Sequence, residues 1–218
     1  MAEKTTHILM IRHGESLANA QGFFAGQTDI PLTELGRRQA ERTAEYLRER
    51  GIDRIYSSDL MRSMQTAEPT ARMHGLSVIS EPGLREIFAG KWEHMAYTEV
   101  ERQYPTTRGV WVSHIGLAHP DGGESVAEVA ERICGTVERL ARENEGRCIA
   151  LFTHALPIRS MGCIWQGIPI SEMERLPWCT NAAVTEAEYG ADGSVRFLCY
   201  GYDAHQVGVA TGFPRGAV

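Results

Sequence analysis

The chain has 218 residues with 22 Lys and Arg against 28 Asp and Glu, and at about 150 residues per domain it is long enough to bury a real core in one or two domains. Its 43% hydrophobic and 23% charged residues form an ordinary globular composition, which excludes disordered, collagen-like and coiled-coil chains. A net charge of −6 lacks the cationic excess that neutralises phosphates in general nucleic-acid binders, so nucleic acid is not an expected partner.

The N-terminus carries an acidic residue and leads into an apolar run of only Ile8 to Ile11, which fits neither a signal peptide nor a membrane span. The expected location is the cytoplasm, with no membrane partner. His7–Ile11 reads as the first strand. Pro31-Leu-Thr33 opens a helix to about Arg50, in which Thr33 is the cap and Leu35, Ala40, Thr43, Ala44 and Leu47 form an apolar stripe. Gly51 stops it. Ile52 to Ser57 reads as a second strand, and a helix from about Leu60 to His74 follows, closed by Gly75. Val78-Ile79 is a short strand. Residues 81–123 give mixed signals, with prolines and several aromatics, and are expected to form an insertion over the sheet. Ser125-Val-Ala-Glu128 fits a capping box for a long helix with Val126, Val129, Ile133, Val137 and Leu140 at helical spacing. Cys148–Phe152 is a buried strand ending at Thr153-His154, and Pro157 suits the first turn of the next helix. Ala182 to Tyr189 and Val195 to Tyr200, separated by Gly190-Ala-Asp-Gly193, read as a hairpin.

Short apolar runs alternating with longer amphipathic stretches predict an α/β fold, a mainly parallel sheet covered by helices. With no repeat, linker or low-complexity tract, one domain over 1–218 is the expected organisation. The five cysteines, odd in number and without a Cys-x-x-Cys, fit neither a disulfide framework nor a zinc ribbon and read as reduced core thiols.

Ligands of parallel α/β sheets bind beyond the carboxyl ends of the strands, so the polar residues after each apolar run carry the functional signal. These are Arg12-His13-Gly14-Glu15, Ser57-Ser58-Asp59-Leu60-x-Arg62, and Thr153-His154. Guanidinium forks match phosphate oxygens, and an imidazole serves as nucleophile, acid or donor. The set points to phosphoryl chemistry.

Together with Asp29-x-Pro31-Leu32-Thr33-x-x-Gly36-x-x-Gln39-Ala40, Leu84-Arg85-Glu86, Gly90-x-Trp92-Glu93, Gly122-Gly-Glu-Ser125 and Phe152-Thr-His154, these blocks resemble the histidine phosphatase, or phosphoglycerate-mutase-like, superfamily. The resemblance runs from about residue 7 to 165, with a fainter echo at Asn181 and Tyr202-Asp-Ala-His205. It implies a three-layer αβα sandwich with the insertion over the active site, and a covalent phosphohistidine mechanism with no metal or other cofactor. His13 is then the nucleophile. Arg12, Arg62 and His154 surround the phosphoryl oxygens, and Glu86 is the proton donor and acceptor, with Glu93 as its rival. Asn19, Gly26 and Ala155 are expected at the phosphate, Glu15 is expected to orient an arginine or favour a helix start, and His205 to bridge the C-terminal segment to the site. Two positions depart from the family pattern: Ala25 replaces a Thr or Gln donor, and Ala155 replaces the glycine after the second histidine.

The short interval between Glu86 and His154 resembles the phosphatase branch rather than the mutases, whose longer insertion carries extra arginines. Phe88, Trp92, Met95, Tyr97, Tyr104 and Trp111 offer instead a mouth for an apolar or aromatic alcohol. The expected function is a phosphomonoesterase acting on a small phosphorylated metabolite. The alternatives are a mutase-type isomerase and a non-catalytic phospholigand binder. Oligomeric state is not legible here, and a homodimer is left open.

Overall fold

The alternation of apolar runs and amphipathic stretches builds a six-stranded sheet in the computed structural model, which describes residues 5–212. Residues 1–4, the start of the N-terminal stretch considered above, lie outside the described part. The strands are β1 (Thr6–Arg12), β2 (Arg54–Ser57), β3 (Val78–Ser80), β4 (Cys148–Thr153), β5 (Val184–Tyr189) and β6 (Val195–Tyr202), in the order β3-β2-β4-β1-β5-β6. The first four in that order run parallel, while β5 lies antiparallel to β1 and β6 antiparallel to β5. The expected mainly parallel α/β sandwich is therefore present.

The strands read as continuous apolar runs because both faces are covered. Ile8, Met10, Ile149 and Leu151 pack with Ile133, Val137 and Leu140 of α6 (Val126–Glu143) and with Ile158 and Met161 of α7 (Ala155–Trp165). Leu9, Ile11, Ala150 and Phe152 face the other layer, with Leu47 of α2 (Glu34–Leu47) and Ala67 and Ala71 of α3 (Met61–His74). Thr33 caps α2 through Gly36 N, and Ser125 and Glu128 close the capping box of α6. Pro69 sits inside α3 and removes one backbone bond, yet the helix continues because its packed face, not propensity, holds it.

Four elements differ from the local reading. β2 begins at Arg54 rather than Ile52. A short helix, α1 (Leu17–Gln21), follows β1, capped by Ser16 with Asn19 at the reciprocal position, where glutamate or glutamine is the usual signal. The 81–123 segment holds two helices, α4 (Tyr97–Gln103) and α5 (Pro105–Ser113). They have their own core, in which Trp92, Val100 and Ile115 pack with Phe24, Val126, Val129 and Leu156. All five cysteines are free thiols.

Candidate active site

Strand order assembles the site. β4 lies between β1 and β2, with Arg12 in register with Thr153 and Ser57 with Phe152, so three carboxyl ends finish side by side. Where the ladders end, His13 N donates to Thr153 O at 2.9 Å and Ser58 N to Phe152 O at 2.9 Å. The His13 and His154 rings consequently lie 5.1 Å apart, tilted by 60°.

His13 is buried, and its Nδ1 lies 2.7 Å from Gly14 O. A carbonyl only accepts, so Nδ1 carries the proton and Nε2 keeps its lone pair. Burial first, then the charges of Arg62 and Arg12, hold the His13 pKa well below the ordinary histidine value, so the ring is neutral. Gly14 is fixed by a close approach: a Cβ there would stand 2.5 Å from Gly36 O. From α3, Thr66 Oγ1 accepts from Gly14 N at 3.0 Å and anchors this turn.

His154 Nε2 lies 2.9 Å from Ser58 Oγ, which also accepts from Leu60 N at 3.3 Å, while its buried Nδ1 has no hydrogen-bond partner among the described residues. Burial, Arg62 and His13 keep this ring's pKa well below normal as well. Local sequence gave Ser58 no role; its place beside Asp59 at a strand end was the available signal.

Arg12 and Arg62 are both buried and held by main-chain carbonyls. Arg12 Nη1 donates to Cys179 O at 2.5 Å, and Arg62 donates to Thr28 O at 2.9 Å and Gly26 O at 2.7 Å. Desolvation lowers both pKa values, that of Arg62 to about 10. Gly26 adopts a φ of 49°, and a Cβ would meet Glu93 Oε1 at 2.4 Å, so glycine is required there. Glu93 itself accepts from Gln27 N at 2.8 Å and Thr28 Oγ1 at 2.6 Å. The rival acid is thus a brace for the 25–28 loop, engaged with that loop rather than lining the pocket.

Glu86 does line the pocket, together with Arg12, His13, Asn19, Gly26, Arg62 and Ala155. Its carboxylate accepts from Ile87 N at 2.9 Å and from Leu156 N, in the first turn of α7, at 3.5 Å. Desolvation raises its pKa, outweighing those bonds and the nearby Arg62 and Arg12. Arg132 of α6 fixes this segment: it donates to Gly83 O at 3.0 Å, Arg85 O at 2.9 Å and Glu86 O at 3.3 Å, and pairs with Glu124 at 3.0 Å. His154 does not line the open pocket but stands beside His13.

Asn19 Oδ1 accepts from Ser16 N at 3.1 Å and from Asn181 Nδ2 at 3.2 Å, which fixes the amide and leaves its NH₂ side for the pocket. Asn181 Nδ2 also lies 3.0 Å from His13 O, so this residue, only faintly signalled in the sequence, braces two pocket residues. Among the described residues Glu15 orients no arginine: its carboxylate accepts from Thr33 Oγ1 at 2.7 Å, at the start of α2. His205 contacts Thr43 Oγ1 of α2 at 3.2 Å and Ala182 O at 3.1 Å, linking the C-terminal segment to α2 and to the stretch before β5 without lining the pocket.

Of the residues expected at the mouth, Tyr97 and Trp111 line the pocket. Trp92, Met95 and Tyr104 instead belong to the second core, and Phe88 projects outward. Phe23, Phe24 and Trp178, from outside the insertion, complete the wall. Among the described residues, no group of three or more His, Cys, Asp or Glu is placed to hold a metal ion, and no helix is long and apolar enough to cross a membrane.

The chain is similar to known phosphatases and mutases in sequence and in fold. Phosphoserine phosphatase 1 of Hydrogenobacter thermophilus is 34% identical over 176 residues, covering 81% of this chain and 83% of that protein. The probable phosphoglycerate mutase GpmB of Yersinia pestis is 32% identical over 185 residues, 84% of each chain. Among solved structures, Bacillus stearothermophilus YhfR superposes with a TM-score of 0.88 at 26% identity, covering 92% of this chain and 98% of that one. A mycobacterial glucosyl-3-phosphoglycerate phosphatase gives a TM-score of 0.81 at 29% identity, covering 92% of this chain and all of that one. The sequence profile of the histidine phosphatase superfamily (branch 1) matches residues 8–200, from β1 into β6, and the chain belongs to that family.

Proposed function

We propose that the protein is a phosphomonoesterase that hydrolyses small phosphorylated metabolites through a phosphohistidine on His13. The observation that carries this reading is a neutral, buried imidazole whose Nδ1–H is fixed by Gly14 O, beside two guanidinium groups and a carboxyl of raised pKa in one pocket. His13 Nε2 attacks phosphorus while the ester P–O bond breaks, and protonated Glu86 delivers its proton to the departing alkoxide. Water then attacks the phosphohistidine, Glu86 takes the water's proton, and the P–N bond breaks to release phosphate. Arg12, Arg62, His154 and the Asn19 amide stabilise the charge spread over the phosphoryl oxygens, where positioning and electrostatics supply most of the catalysis. This scheme uses no metal. The related phosphatases and the probable mutase support the phosphoryl chemistry. A mutase would transfer the phosphoryl group to a second hydroxyl rather than to water.

The test is phosphate release from a panel of metabolite phosphates, with trapping of the intermediate. The wild-type protein should incorporate acid-labile, base-stable phosphate on His13 and keep its activity in EDTA, whereas His13→Ala should lose turnover and labelling while keeping its fold. Label on a serine or cysteine would overturn the assignment. Phosphate migration without release would identify an isomerase, and neither release nor labelling would leave a binding protein.

A further inference from the structure

The pocket has two chemically different parts. His13, Arg12, Arg62 and Glu86 form one; the other is aromatic. Phe24 meets Tyr97 edge-on at 4.9 Å and Trp111 at 5.6 Å, and Trp111 stacks on Trp178 at 6.4 Å, so the four rings make one continuous surface. Phe24 and Trp111 also pack against the buried Trp92, at 5.1 and 5.8 Å, so the surface is set before any ligand arrives.

Cations are distributed unevenly around these rings. Among the described pocket-lining residues the positively charged side chains are Arg12 and Arg62, both in the phosphoryl part. Two other guanidinium groups lie over the aromatic surface without lining the pocket: Arg108 is 5.8 Å from the Phe24 centroid and Arg159 4.4 Å from that of Trp178. Both are buried, and Arg159 is further tied to Leu176 O at 2.7 Å. A carboxylate on the alcohol half of a monoester would therefore lose its hydration against the aromatic rings with no cation among the described lining residues of that part to pair with. A flat apolar group there gains both burial and ring contacts.

We propose that the favoured substrate carries an uncharged aryl or arylalkyl group on its ester oxygen, in preference to a carboxylate-bearing alcohol such as glycerate or serine. This inference rests on the phosphomonoesterase reading of the same site.

The experiment compares 2-phenylethyl phosphate, propyl phosphate and phosphoserine, whose leaving groups are all alkyl alcohols, so the comparison reads the pocket wall rather than leaving ability. Phenylethyl phosphate should show a kcat/KM roughly tenfold or more above the other two, about what burying a phenyl ring is worth. In parallel, calorimetry on the wild-type protein compares 3-phenylpropylphosphonate with 2-amino-4-phosphonobutyrate, neither of which can be hydrolysed at the P–C bond, and the first should bind more tightly. Trp111→Leu should narrow both ratios. Preference for phosphoserine, tighter binding of the amino acid phosphonate, or ratios untouched by Trp111→Leu would overturn the inference. If that variant does not fold, the wild-type series decides alone. Phosphonate affinities in the expected order without any phosphate release would sink the phosphatase reading and leave the inferred occupant standing; turnover with the order reversed would do the opposite.

Discussion

A nucleophilic imidazole must be neutral, and burial beside Arg62 and Arg12 keeps His13 so to a pH well below the ordinary histidine range. Glu86 has the opposite requirement: it must start protonated, and desolvation lifts its pKa above the usual carboxylate value. Activity should therefore fall on the acid side as His13 takes up a proton, and on the alkaline side as Glu86 loses one, with the optimum between. For an alkyl phosphate, kcat/KM against pH should show that alkaline limb, and Glu86→Gln should remove it while lowering the rate by about 10²–10⁴-fold, the usual worth of general acid catalysis. A nitrophenyl phosphate, whose leaving group needs little protonation, should lose far less during phosphohistidine formation. Equal losses on both substrates would remove Glu86 from the acid role. The two alanines that depart from the family pattern both line the pocket. Ala155 occupies the first turn of α7, where a methyl group leaves the backbone N–H groups in place. Ala155→Gly should therefore change vanadate affinity little. Ala25→Gln should tighten it, by about 1.5–3 kcal/mol if the amide reaches the oxyanion. Titration with vanadate checks both, and unchanged affinity in Ala25→Gln would show that its side chain does not reach the anion.

At the scale of elements, α6 does more than cover the sheet. The half-buried Arg132 gathers the carbonyl groups of Gly83, Arg85 and Glu86, and Glu124, which pairs with it, also accepts from Phe88 N at 2.7 Å. The helix thus fixes the loop on which the proposed acid rides. Arg132→Met should lower kcat/KM for alkyl phosphates roughly tenfold to a hundredfold, since small displacements of a catalytic group are costly, and should leave nitrophenyl phosphate much less affected. Parallel losses on both substrates together with a lower Tm would mean that Arg132 is structural only. Helix α2 plays a comparable part on the other side of the His13 turn. Gln39 accepts from Glu15 N at 2.8 Å, and the Gly36 carbonyl lies against Gly14.

For the molecule as a whole, the site at the strand ends and the core between the layers are separable. Ile133 is fully buried against the sheet in the cluster around α6 and α7, away from the pocket lining. Ile133→Ala should lower the unfolding free energy by about 2–5 kcal/mol, measured by urea denaturation, with kcat per folded molecule unchanged at low temperature. A selective fall in kcat without loss of stability would show that the core transmits strain to the strand ends.

Local chemistry alone determined the strands from Ile8 to Ile11 and Cys148 to Phe152 and the caps at Thr33 and Ser125, and it marked the arginines and histidines that follow the strands, Arg12, His13, Arg62 and His154. Each of these follows from periodicity, from capping or from a short motif lying within a few residues. The tertiary structure decided what depends on contacts between distant segments. Short α1 forms where Leu17 N meets Pro31 O and Asn19 caps Ser16, and α4 and α5 form because Phe24 and Leu156 supply partners for their apolar residues. Glu93 and Glu86 look alike in sequence, and only the path of the 25–28 loop draws Glu93 into a brace and leaves Glu86 in the pocket. Ser58, Asn181 and Trp178 gain their places in the same way. The sheet order sets β4 between β1 and β2, bringing chain ends near residues 13, 58 and 154 together, and no local pattern encodes that neighbourhood because its contacts span most of the chain.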